Sequence, residues 1–214
     1  MTLMGKVFTN TNPNHPSRLR RKQESGFSLI EVMISAVILV VGLVGVLSVF
    51  GLAVAVNQNA QQDMIARQVA SEAMESLFTA RNTAQLSFSQ INNVSSGGIF
   101  ANGAQTLLCA GPTYGIVGVS GDTASCKTAT GAVCPNGGVQ CLTEPGPDGI
   151  VGTADDVTLS LSNYTRTISI TPLLDSSGNV IPTLVQVTIT ITYSAPNARA
   201  LKTYSLVEYI SSYH

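Results

Sequence analysis

The stretch GFSLIEVMISAVILVVGLVGVLSVFGLAVAV, residues 26–56, decides the architecture. From Val32 to Val56 it contains no charged residue. An apolar run of about 20 residues is long enough to cross a bilayer as a helix. Just upstream lies RLRRK, with Arg18, Arg20, Arg21 and Lys22. Downstream the first charge is Asp63, and the next basic residue is Arg67. The positive-inside rule then predicts residues 1–25 in the cytoplasm and the bulk of the chain across the membrane. An ordinary secretory signal has an apolar core of about 7–15 residues that ends at a small-residue cleavage site. This run is much longer and continues into helix-forming sequence, so we read it as a single span that is kept.

One acid, Glu31, stands at the cytoplasmic margin of the span. A carboxylate there is costly unless something pairs with it, which makes it a functional candidate. The same peptide can supply the partner. A cut after Gly26 gives Phe27 a cationic α-amino group. On a helix Phe27 and Glu31 then lie on one face, four residues apart. The amine would meet its own Glu31 or that of a neighbouring subunit. The plainer alternative is a Glu31 that snorkels to the headgroups.

Taken together, a basic leader, Gly26, Phe27, a Glu at the fifth residue counted from Phe27 and an unbroken apolar helix resemble the class III signal of type IV pilins. The resemblance covers residues 18 to about 80. It implies that a prepilin peptidase cuts between Gly26 and Phe27 and methylates the new Phe27 amine. Glu31 would be the acid that neutralises a neighbour's N-terminus during assembly. Within the family, VILVVGLVGVLSVF looks most like the PilV-type minor pilins. Pseudopilins of type II secretion share the same start. The resemblance further implies an inner-membrane precursor with a periplasmic body, later carried into an extracellular pilus. Its partners would be the peptidase, major and minor pilins, the inner-membrane assembly platform and, before assembly, membrane lipid.

Beyond the span, residues 57–82 read as an amphipathic continuation of the helix. Ile65, Val69, Ala73 and Leu77 recur every four residues, flanked by Ala66, Ala70, Met74 and Phe78. No Pro falls between Pro16 and Pro112, so one helix is expected from about Ser28 to Ala80, roughly 80 Å long. Arg67, Glu72 and Glu75 are expected on a solvated face. The organisation is then a leader (1–26), a membrane or filament-core helix (27–56), its amphipathic continuation (57–82) and a globular body (83–214).

In the body, YTRTISI sets Tyr164, Arg166, Ile168 and Ile170 against Thr and Ser, and TLVQVTITITY sets Val185, Val187, Ile189, Ile191 and Tyr193 against polar residues. Period two marks half-buried strands. With Val157–Leu161 and a last strand over about Leu201–Ile210, this predicts an antiparallel sheet of about four strands, joined in part through DSSGN, residues 175–179. One apolar face of such a sheet needs a cover, and the amphipathic helix half supplies it. The fold expected is α+β, a pilin-like roll with a long helix on an antiparallel sheet.

The chain has 214 residues, 44% hydrophobic but only 11% charged, with 19 Gly and no Trp. Globular chains carry about 25% charged residues, so the composition suggests a secreted, β-rich body. Cys109, Cys126, Cys134 and Cys141 fall in a Gly-rich stretch after the span, where export favours two disulfides over free thiols. Three pairings are open, and the short loops suggest Cys134 with Cys141 and Cys109 with Cys126.

The segment EPGPDGIVGTADD, residues 144–156, carries Glu144, Asp148, Asp155 and Asp156 around Gly149 and Gly152. Oxygen donors on a flexible loop suit Ca²⁺, held by Asp148, Asp155, Asp156 and a main-chain carbonyl. The spacing is not that of an EF-hand but resembles DGxxGTxDD loops of extracellular bacterial proteins that are linked to calcium. The alternative is a polar Asp-Gly turn.

The two histidines, His15 and His214, lie close to the chain ends, which excludes a multi-His zinc site and offers no base for a Ser or Cys nucleophile. No phosphate loop or redox CxxC is present, so nothing supports an enzyme. Removing the leader takes five basic residues and one acidic residue, leaving 6 and 11, a formal side-chain charge of −5. No nucleic-acid track is expected from that balance. The expected function is that of a minor type IV pilin, a structural subunit serving pilus assembly and surface attachment. The alternatives are a type II secretion pseudopilin and a calcium-dependent adhesin anchored by a bitopic helix.

Overall fold

The computed structural model describes residues 26–128, 131, 133–134, 137–194 and 200–213. The leader up to Ser25, with His15 and the RLRRK run, and His214 lie outside the described residues. A single helix, α1, runs from Leu29 to Asn82, 54 residues. The chain forms two compact units, one up to Ser48 and one from Val49 onward.

The described part of the first unit is apolar helix. It is long and apolar enough to cross a membrane, and none of its most apolar 18-residue window is buried. Its two helical serines turn back on the helix. Ser35 Oγ donates to the Glu31 carbonyl at 2.7 Å, and Ser48 Oγ donates to the Val44 and Gly45 carbonyls at 3.1 and 2.8 Å. No hydroxyl in the span is therefore left needing water, which is the condition for life in hydrocarbon.

In the second unit the helix residues Ala66, Val69, Ala70, Ala73, Met74, Leu77 and Ala80 are buried. This is the expected stripe, and its residues belong to the buried core. The strands are β1 (Ala104–Thr106), β2 (Cys109–Ala110), β3 (Thr123–Ala124), β4 (Cys141–Glu144), β5 (Val157–Ser160), β6 (Tyr164–Leu174), β7 (Val180–Tyr193) and β8 (Lys202–Ser211). The main sheet is antiparallel in the order β1-β6-β7-β8. Its inner face is set by register. Ile168 lies opposite Ile189, which lies opposite Leu206, and Arg166 lies opposite Ile191, which lies opposite Tyr204. Fully burying each such aliphatic side chain contributes roughly 1.5–3 kcal/mol.

One expectation is corrected. The strand over Val157–Ser160 does not join the main sheet; it pairs with β4 in a separate hairpin. The fourth strand is β1, a three-residue piece from the Gly-rich region. The sequence of β5, VTLS, alternates weakly and leaves Val157 exposed, so a two-stranded ribbon suffices for it.

Beyond the reach of β1, the edge of β6 is satisfied by a side chain. Asn93 Nδ2 donates to the Ile168 carbonyl at 2.8 Å, and the Ile170 amide donates to Asn93 Oδ1 at 2.9 Å. An amide side chain thus copies a strand's donor and acceptor. The β6–β7 turn is closed by Asp175, whose Oδ1 accepts from the Ser177 and Asn179 amides at 2.8 and 2.9 Å, while Gly178 takes φ +83.

Cys109 is bonded to Cys126 and Cys134 to Cys141, with Cα separations of 5.5 and 5.8 Å. The first bond staples the β2–β3 hairpin. The second ties the loop before β4 to its first residue.

Candidate functional site

The helix start brings together Gly26, Phe27 and Glu31, the residues expected to serve processing and assembly. Gly26, Phe27 and Ser28 precede the helix. The Ser28 carbonyl accepts from the Glu31 amide at 2.9 Å and from the Val32 amide at 3.2 Å. Ser28 is therefore the N-cap and Glu31 the third helical residue. This is the S-x-x-E spacing of a capping box, in which an acid sits where the first amides lack partners and the helix dipole is positive. Ser28 is the residue the sequence reading missed; its signal was that same spacing.

Phe27 stands two residues outside the helix and is 83% exposed. In the uncut chain Phe27 and Glu31 are consequently not one turn apart on a helix. The physical reason is local: Ser28 already supplies the first helical acceptor, so pairing with Glu31 requires the free Phe27 amine to fold back or to belong to another subunit. Gly26, likewise exposed, has nothing within 4 Å of where a Cβ would stand.

The acidic segment forms the loop of the β4–β5 hairpin. Its carboxylates close turns. Asp148 Oδ1 accepts from the Ile150 amide at 2.9 Å, Asp156 Oδ2 from the Gly152 amide at 2.7 Å, and Asp155 Oδ1 from the Thr153 hydroxyl at 2.6 Å. The Thr153 hydroxyl bond, helped by backbone donors, holds the Asp155 carboxyl below its ordinary value. Glu144 accepts from Gln61 of the helix. Among the described residues no three Asp, Glu, His or Cys side chains gather as a metal cage.

A second polar cluster pins the helix to the sheet. Asp63 Oδ1 accepts from the Tyr193 hydroxyl at 2.7 Å and from Lys202 Nζ at 3.1 Å. Tyr193 stacks on Tyr164 with ring centroids 5.4 Å apart, and the Tyr164 hydroxyl donates to Gln62 at 3.2 Å. The Tyr193 hydroxyl, followed by Lys202, lowers the Asp63 pKa, while burial first and then Asp63 push Tyr193 up to about 12. Arg67 lies 5.7 Å over the Tyr204 ring, so its expected solvated role is only part of what it does.

Residues 21–55 match the family model described as the prokaryotic N-terminal methylation motif. No curated protein and no solved structure matches the chain. The methylation motif, with the long apolar helix and the antiparallel sheet behind it, supports a type IV pilin or pseudopilin.

Proposed function

We propose that the chain is a minor type IV pilin of the PilV type, made as an inner-membrane precursor and incorporated into a pilus. Prepilin peptidase cuts between Gly26 and Phe27 and methylates the Phe27 amine. The span then moves laterally from lipid into the filament by helix packing. The Glu31 carboxylate receives the new amine of an adjoining subunit and sets axial register. The body faces outward and serves assembly and attachment. Major and minor pilins and the inner-membrane platform are its partners.

The observation that carries this reading is the overlap, within residues 21–55, of the methylation motif with a Gly26–Phe27 junction and an unburied apolar helix. N-terminal mass spectrometry of the membrane-purified chain tests it. A chain beginning at methylated Phe27 is expected. Residues 1–26 still attached, in a strain that trims its other prepilins, would refute it and favour an anchored adhesin.

A type II secretion pseudopilin shares the start and topology; neighbouring genes for secretion rather than pilus components would favour it. We also propose calcium at Asp148, Asp155 and Asp156, supported by Asp156 Oδ1, which is buried with no hydrogen-bond partner among the described residues. Calorimetric titration of the full chain in detergent tests it, and no heat of calcium uptake would dismiss it.

A further inference from the structure

The main sheet ends on β8, and among the described residues no strand pairs with its outer edge. The opposite side of the sheet is covered, since β1 and the Asn93 amide take up the free groups of β6. On β8 the bond from the Ser212 amide to the Thr183 carbonyl sets which groups are used. In the unbroken register that follows, the even-numbered residues from Lys202 to Ile210 bond to β7. The amides and carbonyls of Thr203, Ser205, Val207 and Tyr209 therefore point outward, and they meet no hydrogen-bond partner among the described residues.

Such an edge is a template for another strand unless it is short, bulged, broken by Pro or guarded by lysine. β8 is 10 residues long, contains no Pro and shows no shift of register against β7. Its one lysine, Lys202, is drawn onto Asp63 at 3.1 Å. On its outer face Val207 and Tyr209 are exposed, as is Leu201 just before it. On its inner face a groove of about 440 Å³ opens beside Leu206 and Glu208, walled by Met74, Glu75 and Phe78 of α1.

Charge divides this edge into two ends. Lys202 and Arg67, which lies over Tyr204, make the first end basic. Glu208 and Glu75, which share the groove, make the last end acidic. An antiparallel copy of the same strand reverses that order, and only the register centred on Ser205 sets Lys202 opposite Glu208. In that register the outward groups also match. Thr203 meets Val207 of the second copy and Ser205 meets Ser205, which exchanges about six N–H···O bonds. One step further, exposed Leu201 meets exposed Tyr209, and on the inner face Tyr204 meets Leu206 at the groove. The Lys202 ammonium has three donors, so it can bond a second carboxylate while it holds Asp63.

We propose that β8 pairs antiparallel with β8 of a second copy of this chain, about a two-fold axis at Ser205. The axis reverses the stretch of α1 from Asp63 to Phe78, which follows β8 from Lys202 to Glu208. The pair therefore joins copies that meet head-on, not neighbours that share a direction in one filament. This goes beyond the proposed pilus role and stands without it.

The full chain in detergent tests the pairing. The four native cysteines are bonded to each other, so an added cysteine is the free thiol. Under mild oxidation Ser205→Cys should form a covalent dimer on its own. Thr203→Cys and Val207→Cys should each stay monomeric alone and should cross-link when mixed, because each lies opposite the other. Glu208→Lys sets like charges face to face twice and should raise the dimer Kd, measured by sedimentation, at least about tenfold. Ser205→Pro removes an amide that β7 does not use, so the dimer should be lost while the Tm of the body stays near that of the unaltered chain. The proposal is overturned if Ser205→Cys cross-links no better than Thr203→Cys alone, or if the mixed pair fails to cross-link. It is equally overturned if Glu208→Lys or Ser205→Pro dimerises as tightly as the unaltered chain, which would place the contact in the apolar span.

Discussion

Asp63 shows how single residues fix this fold. It lies just past the apolar span, yet it accepts from a strand tyrosine and a strand lysine at once. Asp63→Asn keeps the shape and removes the charge. It should destabilise the body by about 1 kcal/mol, the usual worth of a hydrogen bond with one charged and partly exposed partner. The pH dependence has a definite sign. The folded pKa is lowered, so the stabilisation is present above the unfolded value near 3.8 and is lost as pH falls through the folded value. Urea unfolding in detergent should therefore show the gap between the two chains at pH 7 closing below about pH 4. A gap that persists in acid would mean that the charge is not what matters. Little of this was legible in advance. Asp63 read only as the first charge after the span, because the tyrosine and lysine it meets lie on distant strands.

At the scale of elements, the sequence spoke where period and burial coincide. The Ile65–Leu77 stripe, the Tyr164–Ile170 alternation and the Val185–Tyr193 alternation all became the faces that pack together. It was silent where pairing depends on polar side chains. Nothing in the Gly-rich region announced β1, and the Asn93 amide that continues the β6 edge has no periodic signature. Leu77, 1% exposed on the helix face, tests the legible part: Leu77→Ala should cost about 2–5 kcal/mol in urea unfolding. A loss under 1 kcal/mol would mean that the helix half is not structural to the body. The disulfides test the irregular part. In the loop-entropy picture the Cys109–Cys126 bond, spanning 17 residues, is worth roughly 3 kcal/mol and the Cys134–Cys141 bond, spanning 7, roughly 2. Replacing Cys109 and Cys126 by Ser should thus lower the midpoint more than replacing Cys134 and Cys141. The opposite order would show that local strain, not loop length, controls this region.

For the whole molecule, the proposed function turns on Glu31, which it assigns a role both before and after cleavage. In the uncut chain it occupies the third helical position behind the Ser28 cap. After cleavage it would face an amine of Phe27, its own or a neighbour's. A cut after Gly26 would take five basic residues and one acidic residue away, leaving 6 basic and 11 acidic side chains. Under the proposed function the new amine would be a cation at the membrane rim, and an acid in the first helical turn would be its acceptor. Two substitutions separate the roles. Glu31→Gln keeps a side chain able to complete the capping box but loses the charge. Glu31→Ala loses both. If register depends on charge, both variants should be trimmed and stay in the inner membrane, yet be depleted at least about tenfold from sheared pili, a difference of about 1.4 kcal/mol in partition. If capping alone matters, Glu31→Gln should enter pili normally and only Glu31→Ala should fail. Immunoblots of sheared and membrane fractions distinguish these outcomes, and normal incorporation of Glu31→Ala would remove the acid from any account of assembly.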